Sequence, residues 1–102
     1  MPNPVTFVNI IDVEPEQQQA VIDILKEGSE KVISHRPGFI SVTIIASADQ
    51  RRVINIARWH SADDVRATQA DPAAAEYAQR TAAIAQAHPG LYATVAEYTA
   101  RA

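Results

Sequence analysis

The segment from Val5 to Val13 constrains the fold more than any other part of the sequence, because it is apolar on both of its alternating faces. The odd positions hold Val5, Phe7, Asn9, Ile11 and Val13, and the even positions hold Thr6, Val8, Ile10 and Asp12. Side chains alternate between the two faces of a β-strand, so this pattern predicts a strand that is covered on both sides. A half-exposed edge strand would instead be polar at every second position.

The period of the apolar residues changes after this strand. Pro15 suits the first turn of a helix, and Pro37 marks its end because the residue before a proline is disfavoured in helical geometry. Glycine and apolar residues then open a second strand, expected over 39–47. A polar turn over 48–51 joins it to a third strand over 52–60, so the two strands form a hairpin.

The last third of the chain predicts a broken helix and a fourth strand. Ser61 and Asp64 match a capping box, in which a hydroxyl and a carboxylate satisfy the first free amides of a helix. Asp71 and Pro72 restart the helix with a capping side chain and a proline at the first helical position. The expected elements are a helix over 61–69, a helix over 71–87 that His88-Pro89-Gly90 ends, and a strand over 91–99.

The predicted order is β-α-β-β-α-β, which is the ferredoxin-like split βαβ arrangement of the α+β class. We expect one domain over residues 1–102, with a four-stranded antiparallel sheet and its helices on one face. Right-handed crossovers place the first and third strands side by side in the middle. The other face of the sheet carries apolar residues on these two strands, namely Val8, Ile10, Ile54 and Ile56. We therefore expect a homodimer in which two copies pack through this face.

Composition excludes several classes of protein. A net charge of −3 argues against a nucleic-acid binder, which would carry a concentrated basic face. The absence of cysteine excludes disulfides and thiolate chemistry, and the three histidines lie on separate predicted elements. We therefore expect no metal site. No export signal or membrane-spanning segment is visible, so a cytoplasmic protein is expected.

Two asparagines interrupt the apolar faces of the two central strands. By strand parity Asn55, Ala57 and Trp59 share one face of the third strand, and Asn9 lies mid-way along the first. A buried amide without partners costs about 1–3 kcal/mol, so it is kept where something polar meets it. The pattern predicts a concave patch with polar groups. The alternative is that each amide is satisfied by backbone or by the other asparagine.

The segment Val53-Ile54-Asn55-Ile56-Ala57-Arg58-Trp59 resembles the antibiotic biosynthesis monooxygenase family. The resemblance extends to Pro37-Gly38-Phe39 before it and to Ser61 and Asp71-Pro72 after it. It implies a homodimer of the dimeric α+β barrel type. Members with known activity oxidise anthrone-type aromatic polyketides with O₂ and use no metal or flavin, so the resemblance implies no cofactor. It also implies catalytic roles for Asn55, which would hold a substrate oxygen, and Trp59, which would wall and orient the ring.

Six further residues are expected to bind the substrate, the last two because they lie on the last long helix and could face the pocket. They are Phe7, Asn9, Ile45, Val65, Tyr77 and Arg80. For the last two, the alternative is a core tyrosine and a solvated arginine. Where quinone-forming relatives can carry a histidine this sequence has Ile45, and near Val65 it lacks their tyrosine. Haem-degrading relatives carry a helix histidine where this chain has Gln69 and Ala70, which disfavours haem chemistry.

The leading hypothesis is a cofactor-independent monooxygenase that acts on an electron-rich phenolic or anthrone-like aromatic compound. In such a reaction the substrate supplies the electrons, and the protein binds it, excludes water and stabilises an oxyanion. The alternative is a non-catalytic dimer of the same fold that binds a small hydrophobic ligand or has a regulatory role. Oxygen consumption with an anthrone distinguishes the two.

Overall fold

Four antiparallel strands form a single sheet in the order β2-β3-β1-β4. The structure is a computed structural model that describes residues 4–101. The strands are β1 (Val5–Val13), β2 (Phe39–Ala46), β3 (Arg52–Trp59) and β4 (Ala85–Tyr92). The two central strands are β1 and β3, which confirms the prediction from crossover handedness.

Helices pack on one face of this sheet. They are α1 (Gln18–Lys31), α2 (Ala62–Gln69) and α3 (Pro72–Ala82), and 3₁₀ turns over Pro15–Gln17 and Ile33–His35 flank α1. The ferredoxin-like α+β class is confirmed. Among residues 4–101, no helix combines the length and apolar character needed to cross a membrane.

Side-chain caps start α2 and α3 where the sequence predicts them. The Ser61 hydroxyl accepts a hydrogen bond from the backbone N–H of Asp64 at 3.2 Å and donates one to the Asp64 carboxylate at 2.9 Å. The Asp71 carboxylate accepts from the backbone N–H of Ala73 at 2.8 Å, and Pro72 follows it in the first turn. Each cap satisfies an amide that the helix itself leaves free.

The end of α3 and the position of β4 differ from the prediction. The helix ends at Ala82, and the strand covers Ala85–Tyr92 where a helix to residue 87 and a strand over 91–99 were expected. Alanine favours a helix locally, but pairing with β1 overrides this preference. Pro89 lies opposite Asn9 and is tolerated because β4 is an edge strand with one free side.

A β-bulge in β2 reverses the expected parity of that strand. Phe39 pairs with Trp59, but the register shifts between Phe39 and Ser41. As a result Val42 and Ile44 lie on the helix side of the sheet, and Ile45 lies on the other face with 46% of its surface exposed. Ile45, one of the residues expected to bind the substrate, therefore lies on the face of the sheet away from the helices.

Two buried clusters fill the space between sheet and helices. The first joins β1, α1 and β3 and consists of Ile11, Val13, Val21 and Val53. The second joins β3 and α2 and consists of Ala57, Trp59 and Val65. On the opposite face of the sheet, Val8, Ile10, Ile54 and Ile56 are only half-buried. We call this opposite side the outer face.

Candidate active site

A cavity of about 450 Å³ separates the sheet from the helices. Its walls come from the middle of β1 and β3, from β4, and from all three helices. The residues of the sheet that line it are Phe7, Asn9, Asn55, Ala57, Ala87 and Pro89. This volume lies in the range of sites that bind small organic molecules.

The two asparagines meet inside this cavity. Asn9 and Asn55 are directly opposite each other in the β1–β3 ladder, so their side chains leave the same face of the sheet as neighbours. The Oδ1 atom of each is buried and has no hydrogen-bond partner in the protein. Neither the backbone nor the other asparagine therefore donates a hydrogen bond to these oxygens, which was the alternative. A ligand with O–H or N–H groups would satisfy them.

Trp59 lies beyond the end of this cavity instead of in its lining. The indole is only 3% exposed and packs edge to face against Phe39, with ring centroids 5.6 Å apart. It belongs to the same cluster as Ala57 and Val65, which do line the cavity. The tryptophan therefore packs with residues of the cavity wall without being part of the lining.

The other predicted substrate-binding residues divide into two groups. Phe7, Val65 and Tyr77 line the cavity together with the asparagines. Arg80 does not: its guanidinium forms an ion pair with Glu27 on α1 at 2.8 Å. Ile45 is on the outer face of the sheet. Arg80 and Ile45 are thus the two predicted substrate-binding residues that do not line the cavity.

Glycine and polar residues of the helices line the cavity without having been predicted as site residues. They are Gly28, Ser29, Thr68, Gln69, Gln79 and Thr81. The sequence carried one signal for them, since a glycine in the apolar stripe of a helix indicates close packing at that point. The Thr68 hydroxyl donates to the backbone carbonyl of Asp64 at 3.0 Å, so it is already satisfied.

The cavity is electrically neutral. Among the described residues that line it, none is Asp, Glu, Lys, Arg or His. Within residues 4–101, no three His, Cys, Asp or Glu side chains cluster closely enough to hold a metal ion. The arrangement can therefore hold an apolar ring system by contact and its oxygen atoms through the two amides.

Comparison with known proteins identifies the family. The family model for antibiotic biosynthesis monooxygenases matches residues 4–80. The chain belongs to this family. It is 44% identical over 71 residues to tetracenomycin-F1 monooxygenase from Streptomyces glaucescens, an alignment that covers 70% of this chain and 63% of that protein. The chain thus matches less than two thirds of that curated relative.

Several solved structures have the same fold as this chain. The structure of SnoaB from Streptomyces nogalater, described as a cofactor-independent oxygenase, has a TM-score of 0.76 at 24% identity, covering 93% of this chain and 96% of SnoaB. Rv0793 from Mycobacterium tuberculosis has a TM-score of 0.81 at 16% identity, covering 95% of this chain and 100% of Rv0793. At these identities the likeness shows the fold alone.

Proposed function

We propose that this protein is a cofactor-independent oxygenase that converts a hydroxylated polycyclic anthrone to the corresponding quinone. One observation carries the proposal: the paired amides of Asn9 and Asn55 have buried, unpartnered oxygens inside an otherwise apolar cavity. Family membership supports the reaction class. The substrate class is supported by the identity with a tetracenomycin-F1 monooxygenase, and cofactor-independent chemistry is supported by the description of SnoaB.

The paired amides suit a substrate that carries adjacent oxygen atoms. Each carboxamide can present its oxygen or its nitrogen to a ligand, since the two orientations are equivalent in shape. A phenolic O–H would donate to an amide oxygen, and an enolate oxygen would accept from an amide N–H. The neutral and mostly apolar surroundings strengthen these hydrogen bonds as negative charge develops on the substrate.

The proposed chemistry uses the electrons of the substrate alone. Loss of a proton from the methylene carbon gives an enolate, which transfers electrons to O₂ and forms a carbon–oxygen bond. The resulting peroxide anion takes up the first proton and becomes a hydroperoxide. Its O–O bond breaks as the second hydrogen of that carbon leaves as a proton, and the released hydroxide takes up that proton to form water. A CH₂ group and O₂ thus become C=O and H₂O. Among the described residues that line the cavity, Tyr77 carries a titratable group, and its raised pKa keeps the phenol neutral, so the acidity of the anthrone itself drives the first step.

Trp59 acts in this proposal as a positioning residue. It packs against Phe39 and shares a cluster with Ala57 and Val65, so it fixes the wall against which the ring system lies. Its role is to hold the substrate's ring system where its oxygen atoms reach the two amides. This differs from direct contact with the substrate, which the resemblance implied.

Oxygen consumption with a 1,8-dihydroxyanthrone tests the proposal. We expect kcat to fall about 100-fold in Asn55→Ala, the usual loss when one oxyanion donor is removed. Gln86→Ala is the matched control, because it removes an exposed carboxamide from the same sheet outside the cavity. Wild-type protein that binds the anthrone and consumes no oxygen would refute the enzyme and support a ligand-binding dimer.

We further propose that the working form is a homodimer joined through the outer face. Val8 pairs with Ile56 and Ile10 pairs with Ile54, which makes a continuous apolar centre on that face. The exposed Ile45 extends it, because it lies opposite Ile54 on β2. A second copy would cover this patch with an identical surface.

A further inference from the structure

Tyr77 forms part of the cavity wall on a side that borders solvent. It lines the cavity from α3 and is itself half-buried. Its neighbours Glu27 and Arg80 have side chains that are 38% and 46% exposed, so the far side of this group faces water. The phenol ring therefore lies between the cavity and these solvent-exposed charged groups.

Gly28 on α1 makes room for that ring. A Cβ atom at position 28 would lie 3.0 Å from Cγ of Tyr77 and 3.3 Å from its Cδ1, closer than ordinary contact. Glycine inside a helix costs about 1 kcal/mol relative to alanine. Because Gly28 is buried and lines the same cavity, its absent side chain sets how closely the ring approaches α1.

Charged groups hold the ring in this place. The guanidinium carbon of Arg80 lies 5.2 Å from the ring centroid, within the range of a cation–π contact. The same guanidinium is fixed by Glu27 at 2.8 Å, and Glu27 also pairs with Lys31 at 3.3 Å. Burial, and then the facing Glu27 carboxylate, raise the pKa of Tyr77, so its phenol stays neutral.

We infer that Gly28 and Tyr77 together determine how long a ring system the cavity accepts. This inference rests on the proposed function, since it specifies the substrate of the same site. Tyr77→Ala removes one six-membered ring from the end wall and makes room for one more fused ring. Gly28→Ala adds a methyl group to the wall and crowds the tyrosine, so it acts in the opposite sense.

Binding under nitrogen tests the inference without requiring turnover. The probes are a 1,8-dihydroxyanthrone with three rings and its naphthacenone analogue with four, and the readout is quenching of the single tryptophan. We expect Tyr77→Ala to improve the Kd for the four-ring probe relative to the three-ring probe by roughly tenfold. Gly28→Ala should shift this ratio the other way. Tyr77→Phe, which keeps the ring, and Glu76→Ala, an exposed neighbour on α3, should leave the ratio at its wild-type value.

Three results would overturn the inference. One is a ratio within twofold of wild type in both Tyr77→Ala and Gly28→Ala. Another is a shift of both variants in the same direction, and the third is binding of neither probe by wild type or Tyr77→Ala. The expected pattern in a protein that consumes no oxygen would support the size limit and refute the proposed enzyme, so the two failures are distinguishable.

Discussion

Asn9 and Asn55 are unfavourable for the stability of the free protein. Each leaves an amide oxygen buried without a hydrogen bond, and such a group costs about 1–3 kcal/mol. Asparagine is also a poor residue for a central strand. Local conflict with the rest of a fold is expected at functional sites, where a ligand supplies what the protein lacks.

Replacing Asn55 with leucine should therefore stabilise the fold and abolish turnover. Leucine has nearly the same shape as asparagine and removes the unsatisfied oxygen at this position, so we expect a gain of about 1 kcal/mol in the free energy of unfolding. Urea unfolding at one fixed protein concentration measures it, and oxygen consumption measures the loss of activity. A fall in stability like that of a core deletion would mean that the amide is already satisfied in the protein.

Sequence parity was sufficient to place these two asparagines on one face, because β1 and β3 are regular strands in direct register. It was not sufficient for Ile45, since the bulge between Phe39 and Ser41 has no signal in a run of apolar residues. For Trp59 parity gave the correct face. The cavity ends before this residue, and where a cavity ends depends on helix packing that a pattern along one strand does not contain.

At the scale of elements, β4 shows where local preference fails. Residues 82–87 are rich in alanine and favour a helix, yet four antiparallel strands require this segment beside β1. Ile84 and Ala85 pack against the first core cluster, which stabilises the strand over the helix. Caps and prolines predicted the starts of α2 and α3 well, because those signals act within one turn of the chain.

Asp12 on β1 links both neighbouring strands through its carboxylate. It pairs with Arg52 of β3 at 3.0 Å and with His88 of β4 at 3.1 Å. The hydrogen bond from Arg52 is the main cause that lowers the pKa of Asp12 below its ordinary value of 3.8. Burial opposes it to a smaller extent, and the hydrogen bond from His88 lowers the pKa further. A lowered pKa means that this pair stabilises the fold above about pH 4 and that the contribution is lost as the pH falls through the lowered value.

Replacing Arg52 should make the protein lose the stabilisation by ionised Asp12 at a higher pH than the wild type does. In Arg52→Gln we expect the carboxyl pKa of Asp12 to rise towards 3.8 and the midpoint of acid unfolding to move upward with it. Carbon-13 NMR titration of the Asp12 carboxyl measures the first, and circular dichroism measures the second. Arg66→Gln is the control, because it breaks an exposed pair with Asp63 within α2. Equal titration of Asp12 in wild type and Arg52→Gln would contradict the assignment.

At the scale of the whole molecule, the shape is a slab of 42 × 39 × 20 Å. Its radius of gyration is 14.1 Å, above the roughly 13 Å of a compact domain of this length. One layer of helices covers one face of the sheet, and the described chain has no second layer for the outer face. The segment after β4 adds exposed apolar residues, since Val95 and Tyr98 are 96% and 92% exposed.

These features predict a homodimer that a single charge in the outer face disrupts. Ile56 lies in the centre of that face, opposite Val8 on one side and Thr43 on the other. Burying a carboxylate there without a partner is strongly unfavourable, so Ile56→Asp should dissociate or aggregate. Light scattering on wild-type protein at micromolar concentration should give twice the chain mass of 11.1 kDa. Ala67→Asp, at an exposed position of α2, adds the same charge on the helix side and should leave the mass unchanged. A stable, folded wild-type monomer, or a native dimer of Ile56→Asp, would show that the outer face is not the interface.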